Sequence, residues 1–264
     1  MTGERLSLAY QSFGRMRGME RYQNQLAEIV RSVPIDADIQ VLRLPDTEIT
    51  GKGFASAQAL DLPVILRSMA AARASGASAI AVGNGFDPGL WEARELLDVP
   101  VVGLFEAVAF YALRVGWRLG VVTSGASGVP RIEQLAAQYG IGARMVRPAS
   151  ASVTVPMVVS GFEQPDVARR VLTATEGAIR TLAERGADVV LVASGALDVL
   201  LHEIGRPDVG PPVLPSVTTL VHHLYGAALL ARNGVPYVSR SGRFASPPPE
   251  ILAAVAGQPA GARW

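Results

Sequence analysis

Two short polar side chains stand at matching places in this chain: Asn84 in Val82-Gly83-Asn84-Gly85 and Ser194 in Val192-Ala193-Ser194-Gly195. Each follows an apolar run and precedes a glycine, so each reads as the point where a buried strand gives way to a turn. Neither is a useful acid or base near neutral pH: an Asn amide does not accept a proton, and an unactivated Ser hydroxyl hardly releases one. What they can do is hydrogen-bond. With Thr123, Ser124 and the backbone amides of Gly85 and Gly195, they could bind a carboxylate, imide or amide, or stabilise an enolate oxygen. Ser12 completes the expected binding set. The competing reading is structural, since Asn and Ser also end strands and cap helices well.

Ionisable candidates are few. Glu106 falls at a helix start, where the helix dipole favours a carboxylate. Asp87 precedes Pro88, an arrangement that predicts an N-cap followed by the first helical residue. A nucleophilic Ser194 would need a base within reach. His202, eight residues on, would lie about 12 Å further along a helix, which is too far. His222 and His223 sit on a largely apolar helix, where a histidine is more often structural or at the surface. With no cysteine there is no thiolate, disulfide or Cys-ligated metal. Gly83, Gly85 and Gly89 lack the dinucleotide spacing, and the His and carboxylate residues are too scattered to suggest a metal site.

The elements that must carry these residues alternate. Strands are expected at Leu6–Tyr10, Ile39–Leu44, Ala79–Val82, Val101–Leu104, Leu119–Thr123 and Val189–Ala193. Helices are expected at Glu20–Val33, Leu62–Ser75, Pro88–Leu97, Glu106–Val115, Ile132–Tyr139, Asp166–Arg185 and Ser216–Asn233. Gln11–Gly18, Pro45–Lys52 and Ser239–Pro249 read as loops, and Ser150–Gly161 as a β-rich, proline-interrupted stretch. Strict alternation predicts parallel sheets with helices on both faces. Ligands in such folds bind at the carboxyl ends of central strands, where Asn84 would stand.

The chain also repeats itself. Gly76 to Gly85 aligns without a gap on Gly186 to Gly195, an offset of 194 − 84 = 110 residues that sets Ser194 on Asn84. Arg5–Ser12 resembles Arg118–Gly125 at an offset of 113, and Pro100–Gly103 resembles Pro212–Pro215 at 112. Three matches in one order are too long a period for a solenoid and predict two similar lobes. The expected fold is therefore α/β, with two pseudo-symmetric lobes, each a parallel sheet flanked by helices, and a cleft between them. Residues 1–115 with about 216–264 form the first lobe and 116–215 the second. Asn84 and Ser194 should then face each other across the cleft.

Composition narrows the partners. At 264 residues the chain can bury a full core, and its net charge of +1 gives no electrostatic argument for nucleic acid or an anionic membrane. No apolar run approaches bilayer length, and the N-terminus lacks a signal-peptide pattern. The expectation is a cytoplasmic protein with a small-molecule substrate.

The run Phe86-Asp87-Pro88-Gly89-Leu90, with Ala93-Arg94-Glu95-Leu96, Pro100–Gly103 and Glu106-Ala107, resembles the aspartate/glutamate/hydantoin racemase superfamily, most of all its hydantoin racemase branch. Gly186-Ala187-Asp188 through Ser194-Gly195 resembles the family's second catalytic segment. The resemblance covers most of the chain. It implies two lobes with an active site between them, no cofactor, a homo-oligomer, and a Glu near the site at position 106. It also implies a catalytic cysteine at the end of each central strand, one to remove a proton beside a carbonyl and one to return it. Those places are held here by Asn84 and Ser194, so the family's two-thiol reaction does not carry over. Three classes stay open: lyase, decarboxylase or isomerase chemistry through a stabilised enolate; hydrolysis by Ser194 or a water; or binding without chemistry. The first is the expectation, with Asn84, Ser194 and Glu106 as its catalytic residues.

Overall fold

The computed structural model describes residues 5–14, 18–46 and 54–256. In chain order the first part contains β1 (Leu6–Gln11), α1 (Glu20–Ser32), β2 (Ala37–Leu42), α2 (Ala55–Ala74), β3 (Ala79–Val82), α3 (Leu90–Leu96), β4 (Val101–Gly103) and α4 (Leu104–Val115). There follow β5 (Leu119–Thr123), α5 (Gly128–Gln138), β6 (Ala149–Ser150), α6 (Val155–Ser160), α7 (Pro165–Glu184), β7 (Val189–Val192), α8 (Gly195–Ile204) and β8 (Val213–Leu214). Helices α9 (Ser216–Arg232) and α10 (Pro249–Ala256) close the order.

The strands form two four-stranded sheets, ordered β2-β1-β3-β4 and β6-β5-β7-β8, and every pairing is parallel. The expected repeat is visible in this order, since β3 and β7 hold the same interior place in their sheets. Both are four-residue runs of Ala, Ile, Val or Leu buried throughout, as a strand covered on both faces requires. Helix α9 leaves the second sheet and packs over β1, β3, β4 and α4 of the first. The two lobes are thus joined by chain that crosses from one to the other and back.

Several local expectations are corrected. Helix α3 begins at Leu90 rather than Pro88, because Gly89 occupies the left-handed region (φ 76°) as its N-cap. Asp87, also left-handed at φ 45°, does not cap that helix. Ser150–Gly161 is not β-rich beyond the two residues of β6. Thr154 Oγ1 accepts from the Met157 amide at 3.2 Å and starts α6, with Pro156 in the first turn where its missing N–H does no harm. Helix α2 starts at Ala55, two turns before the expected Leu62, and carries Pro63 inside it. Residues 15–17 and 47–52 of the expected loops lie outside the described residues.

Candidate functional site

The turns after β3 and β7 meet. A methyl group at Gly85 would stand 2.4 Å from the Ala193 carbonyl carbon, so only glycine lets the two strand ends approach this closely. The result is one cavity of about 500 Å³ lined by both Asn84 and Ser194. Gly85, Thr123, Ser124 and Gly195 line it too, as the sequence suggested. Phe13, Met19, Phe86, Val153, Val155 and Pro156 give it an apolar wall.

Each polar side chain has a local duty and a spare capacity. Asn84 Oδ1 accepts from the Phe86 amide at 2.9 Å, while its side-chain NH₂ has no partner among the described residues. Ser194 Oγ accepts from the Leu197 amide at 3.4 Å as N-cap of α8, which leaves its O–H to donate. Both readings of these residues therefore hold together: they cap, and they face the cavity. Thr123 donates to the Gly125 carbonyl at 3.0 Å. Ser124 Oγ is buried with no hydrogen-bond partner, a free donor and acceptor at the cavity edge.

Two expected site residues stand elsewhere. Ser12 is fully buried and does not line the cavity. It donates to Gln23 Oε1 at 3.1 Å and accepts from the Gly14 amide at 3.4 Å. Glu106 is not among the lining residues either. Its carboxylate is clamped by Arg94 through two hydrogen bonds, at 2.8 and 2.5 Å, and Arg94 also donates to the Val101 carbonyl. The carboxylate is thus committed to an ion pair with Arg94 and is not part of the cavity lining.

Asp87 has a different role from the one expected. Its carboxylate is buried and accepts from the amides of Phe105 and Glu106, both at 2.9 Å, so it caps α4. A third bond, 2.8 Å long, comes from the Tyr139 hydroxyl. Burial pushes the Asp87 carboxyl up to about 7 despite these donors, and burial with the nearby carboxylate pushes the Tyr139 phenol up as well.

The residue that sequence reading passed over is Tyr22. It lines the cavity from α1, with its hydroxyl 3.6 Å from where a Gly195 Cβ would lie. Burial raises its phenol to about 12. It is the only ionisable side chain among the described lining residues. The available signal was a Tyr on the face shared by Leu26, Ile29 and Val30, where a buried phenol must find a polar partner. The histidines stay out of the cavity: His202 is exposed, and His223 packs edge-on to Tyr111 at 6.0 Å. Among the described residues no group of three His, Cys, Asp or Glu could hold a metal, and no helix is long and apolar enough to cross a membrane.

Two α/β lobes with their central strands ending at one cavity define a known class. The chain matches the Asp/Glu/hydantoin racemase family over residues 20–224, and it belongs to that family. It is 30% identical to the hydantoin racemase of Rhizobium meliloti over 67% of this chain and 70% of that protein. Among solved structures, allantoin racemase from Klebsiella pneumoniae superposes with a TM-score of 0.71 at 24% identity, covering 92% of this chain and 94% of the other. A glutamate racemase from Bacillus anthracis gives 0.62 at 16% identity, over 95% and 92%. At these identities the two structures establish the fold. Family membership supports an enzyme, and these three relatives are named as racemases.

Proposed function

We propose that this chain is a cofactor-independent enzyme that acts on a small carboxylate, amide or imide without a thiol, through an enolate held by neutral donors. The observation that carries this is the lining: hydroxyls, one carboxamide and backbone amides against an apolar wall, with Tyr22 as the only ionisable side chain among the described residues. Such a cavity can stabilise developing negative charge, and its described residues offer no base to take a proton from carbon. Decarboxylation needs none. In a malonate-type diacid the bond to one carboxylate breaks, its electron pair passes to the remaining carbonyl as an enolate, and CO₂ leaves. Asn84, Ser124, Ser194 and the Gly85 and Gly195 amides would receive the oxygen charge. The Tyr22 phenol would return a proton to carbon and recover one from water. Lyase chemistry of this kind is the reading preferred over isomerisation.

Hydrolysis by Ser194 fits less well, because no histidine lines the cavity to take the hydroxyl proton. The partner proposed is a small molecule together with a second copy of the chain, which sedimentation of the purified protein would test.

The deciding experiment offers phenylmalonate, alkylmalonates, maleate and 5-substituted hydantoins and follows both CO₂ release and α-proton exchange in deuterated water. CO₂ release from a substituted malonate, unaffected by iodoacetamide, is expected. Asn84→Ala and Ser194→Ala should each lower kcat/KM roughly 10²–10³-fold, as the loss of an oxyanion donor does. Tyr22→Phe should lower kcat more than it changes KM. Rapid exchange with racemisation of a hydantoin, glutamate or aspartate would overturn the thiol-free lyase reading. Saturable binding of these compounds with no product would mark a binding protein.

A further inference from the structure

We propose that Tyr139 is a positioning residue for the cavity, acting through Asp87, and is the second lobe's hold on the turn that carries Asn84 and Phe86. Tyr139 closes α5, which packs on β5 and β6 of the second sheet. Its ring nevertheless enters the first lobe. It stacks on Phe105 (centroids 6.1 Å apart, planes 18° apart) and meets Trp91 edge-on at 6.3 Å. At the end of that socket its hydroxyl reaches Asp87.

Asp87 is the strained point of the turn. A non-glycine residue at φ 45° persists only where its surroundings hold it. Here the holds are its own amide on the Asn84 carbonyl at 3.0 Å, the two α4 amides, and Tyr139. The same helix grips the neighbouring residue: the Arg131 guanidinium lies 4.4 Å from the centre of the Phe86 ring, and Phe86 lines the cavity. Arg131 and Tyr139, eight residues apart on one helix and its cap, therefore fix Phe86 and Asp87 together. A shift of α5 would pass directly to the wall that presents Asn84.

The repeat shows that this contact is an addition rather than a requirement of capping. Asp198 holds the equivalent place, 111 residues on, and caps α9 in the same way through the amides of Ser216 (3.1 Å) and Val217 (3.0 Å). Its third donor is Arg206, from just beyond its own helix, at 2.8 Å. Only the Asn84 side draws its third donor from the other lobe. The inference does not depend on which reaction the cavity runs.

Hydrogen exchange followed by mass spectrometry tests it with no ligand present. Tyr139→Phe keeps the ring in its socket and removes only the hydroxyl. Exchange over residues 84–89 and 104–107 should become about ten- to hundredfold faster, the factor expected for a lost hydrogen bond to a carboxylate. Residues 195–198 and 216–219 are the internal control and should not change. Asp87→Asn, whose NH₂ cannot accept, also gives up an α4 amide bond and should accelerate the same segments at least as much, and the two substitutions combined should fall short of additive because they share the Tyr139 contact. Wild-type exchange in Tyr139→Phe, equal acceleration in the control segments, or additive effects in the double variant would each overturn the proposal. If Tyr139→Phe does not fold, Tyr139→Met, which also removes the hydroxyl and leaves the Asp87 bonds to the α4 amides in place, decides instead: acceleration confined to 84–89 and 104–107 supports the proposal, and any other pattern refutes it.

Discussion

The turns after β3 and β7 begin alike and end differently. Both leave a fully buried apolar strand, pass a short polar residue and a glycine, and send an aspartate back under a later helix. After β7 the chain becomes helical at once: Ser194 is extended (φ −154°), and α8 starts at the next residue. After β3 it does not. The Asn84 side chain takes the Phe86 amide, Pro88 has no amide to give, Gly89 turns left-handed, and the helix waits until Leu90. Gly-Ala-Leu-Asp-Val propagates a helix where Gly-Phe-Asp-Pro-Gly interrupts one. The delay sets Phe86 on the cavity wall and places the Asp87 carboxylate within reach of the other lobe. The aspartate behind one wall thus takes its third donor from its own lobe, and the aspartate behind the other takes it from the opposite lobe.

The largest expected effect comes from breaking the side whose third donor is a cation. Asp198→Ala leaves two α9 amides and the partly buried Arg206 guanidinium without their acceptor. Removing one member of a buried pair costs about 3–5 kcal/mol, which urea unfolding would register. Asp87→Ala should cost less, because its third partner is a neutral phenol rather than a cation. Equal or reversed losses would show that the partner's charge is not what separates the two walls.

The second effect depends on pH. The folded Asp87 carboxyl lies at about 7, raised from an ordinary 3.8 chiefly by burial. A carboxyl raised by folding contributes stability that is fully present below about pH 4 and is lost as pH climbs through 7. Glu106 adds to the upward push, and the same Glu106 is paired with Arg94, while the Phe105 and Glu106 amides and Tyr139 pull the other way. Between pH 5 and pH 8 the linkage amounts to about 2–3 kcal/mol. Asp87→Asn, which keeps the shape and cannot ionise, should lose that component of the stability–pH curve. An unchanged curve in the variant would mean that Asp87 does not titrate in this range.

These contrasts also mark how far sequence could reach. Six of the eight described strands, the parallel sheets and the two lobes were legible because the longer elements carry their own periodicity and the repeat counts them twice, whereas the two-residue β6 and β8 are too short to show one. Asn84, Ser194, Thr123, Ser124, Gly85 and Gly195 were legible as cavity residues because strand ends of an α/β sheet converge there. Asp87 was legible as a cap but not as the cap of α4, since that partner lies eighteen residues on and depends on the strand between. Glu106 was placed at the cleft by analogy, and its pairing with Arg94 turns it away. Tyr22 was marked only as a Tyr on the apolar face of α1 and Tyr139 not at all, and only packing shows that one hydroxyl faces the cavity and the other faces Asp87. The helix over 155–160 hid behind a proline that in fact sits in its first turn.

The smallest effect sharpens the comparison most, because it separates capping from binding at one residue. Ser194→Ala removes the α8 cap, a loss typically near 1 kcal/mol. Its bond to the Leu197 amide is long at 3.4 Å, which puts the expected cost at the low end, about 0.5 kcal/mol. Ser194→Gly, which restores water to the helix end, should cost only a few tenths of a kcal/mol. Against that, both substitutions should lower turnover by the oxyanion factor if the free O–H donates to bound substrate. Thermal unfolding and turnover measured on the same samples therefore diverge: melting hardly moves while kcat/KM collapses. A melting loss beyond about 2 kcal/mol with turnover intact would make Ser194 a cap alone. The two walls would then differ in function as well as in the third donor to each aspartate, with substrate recognition resting on Asn84, Ser124 and the glycine amides.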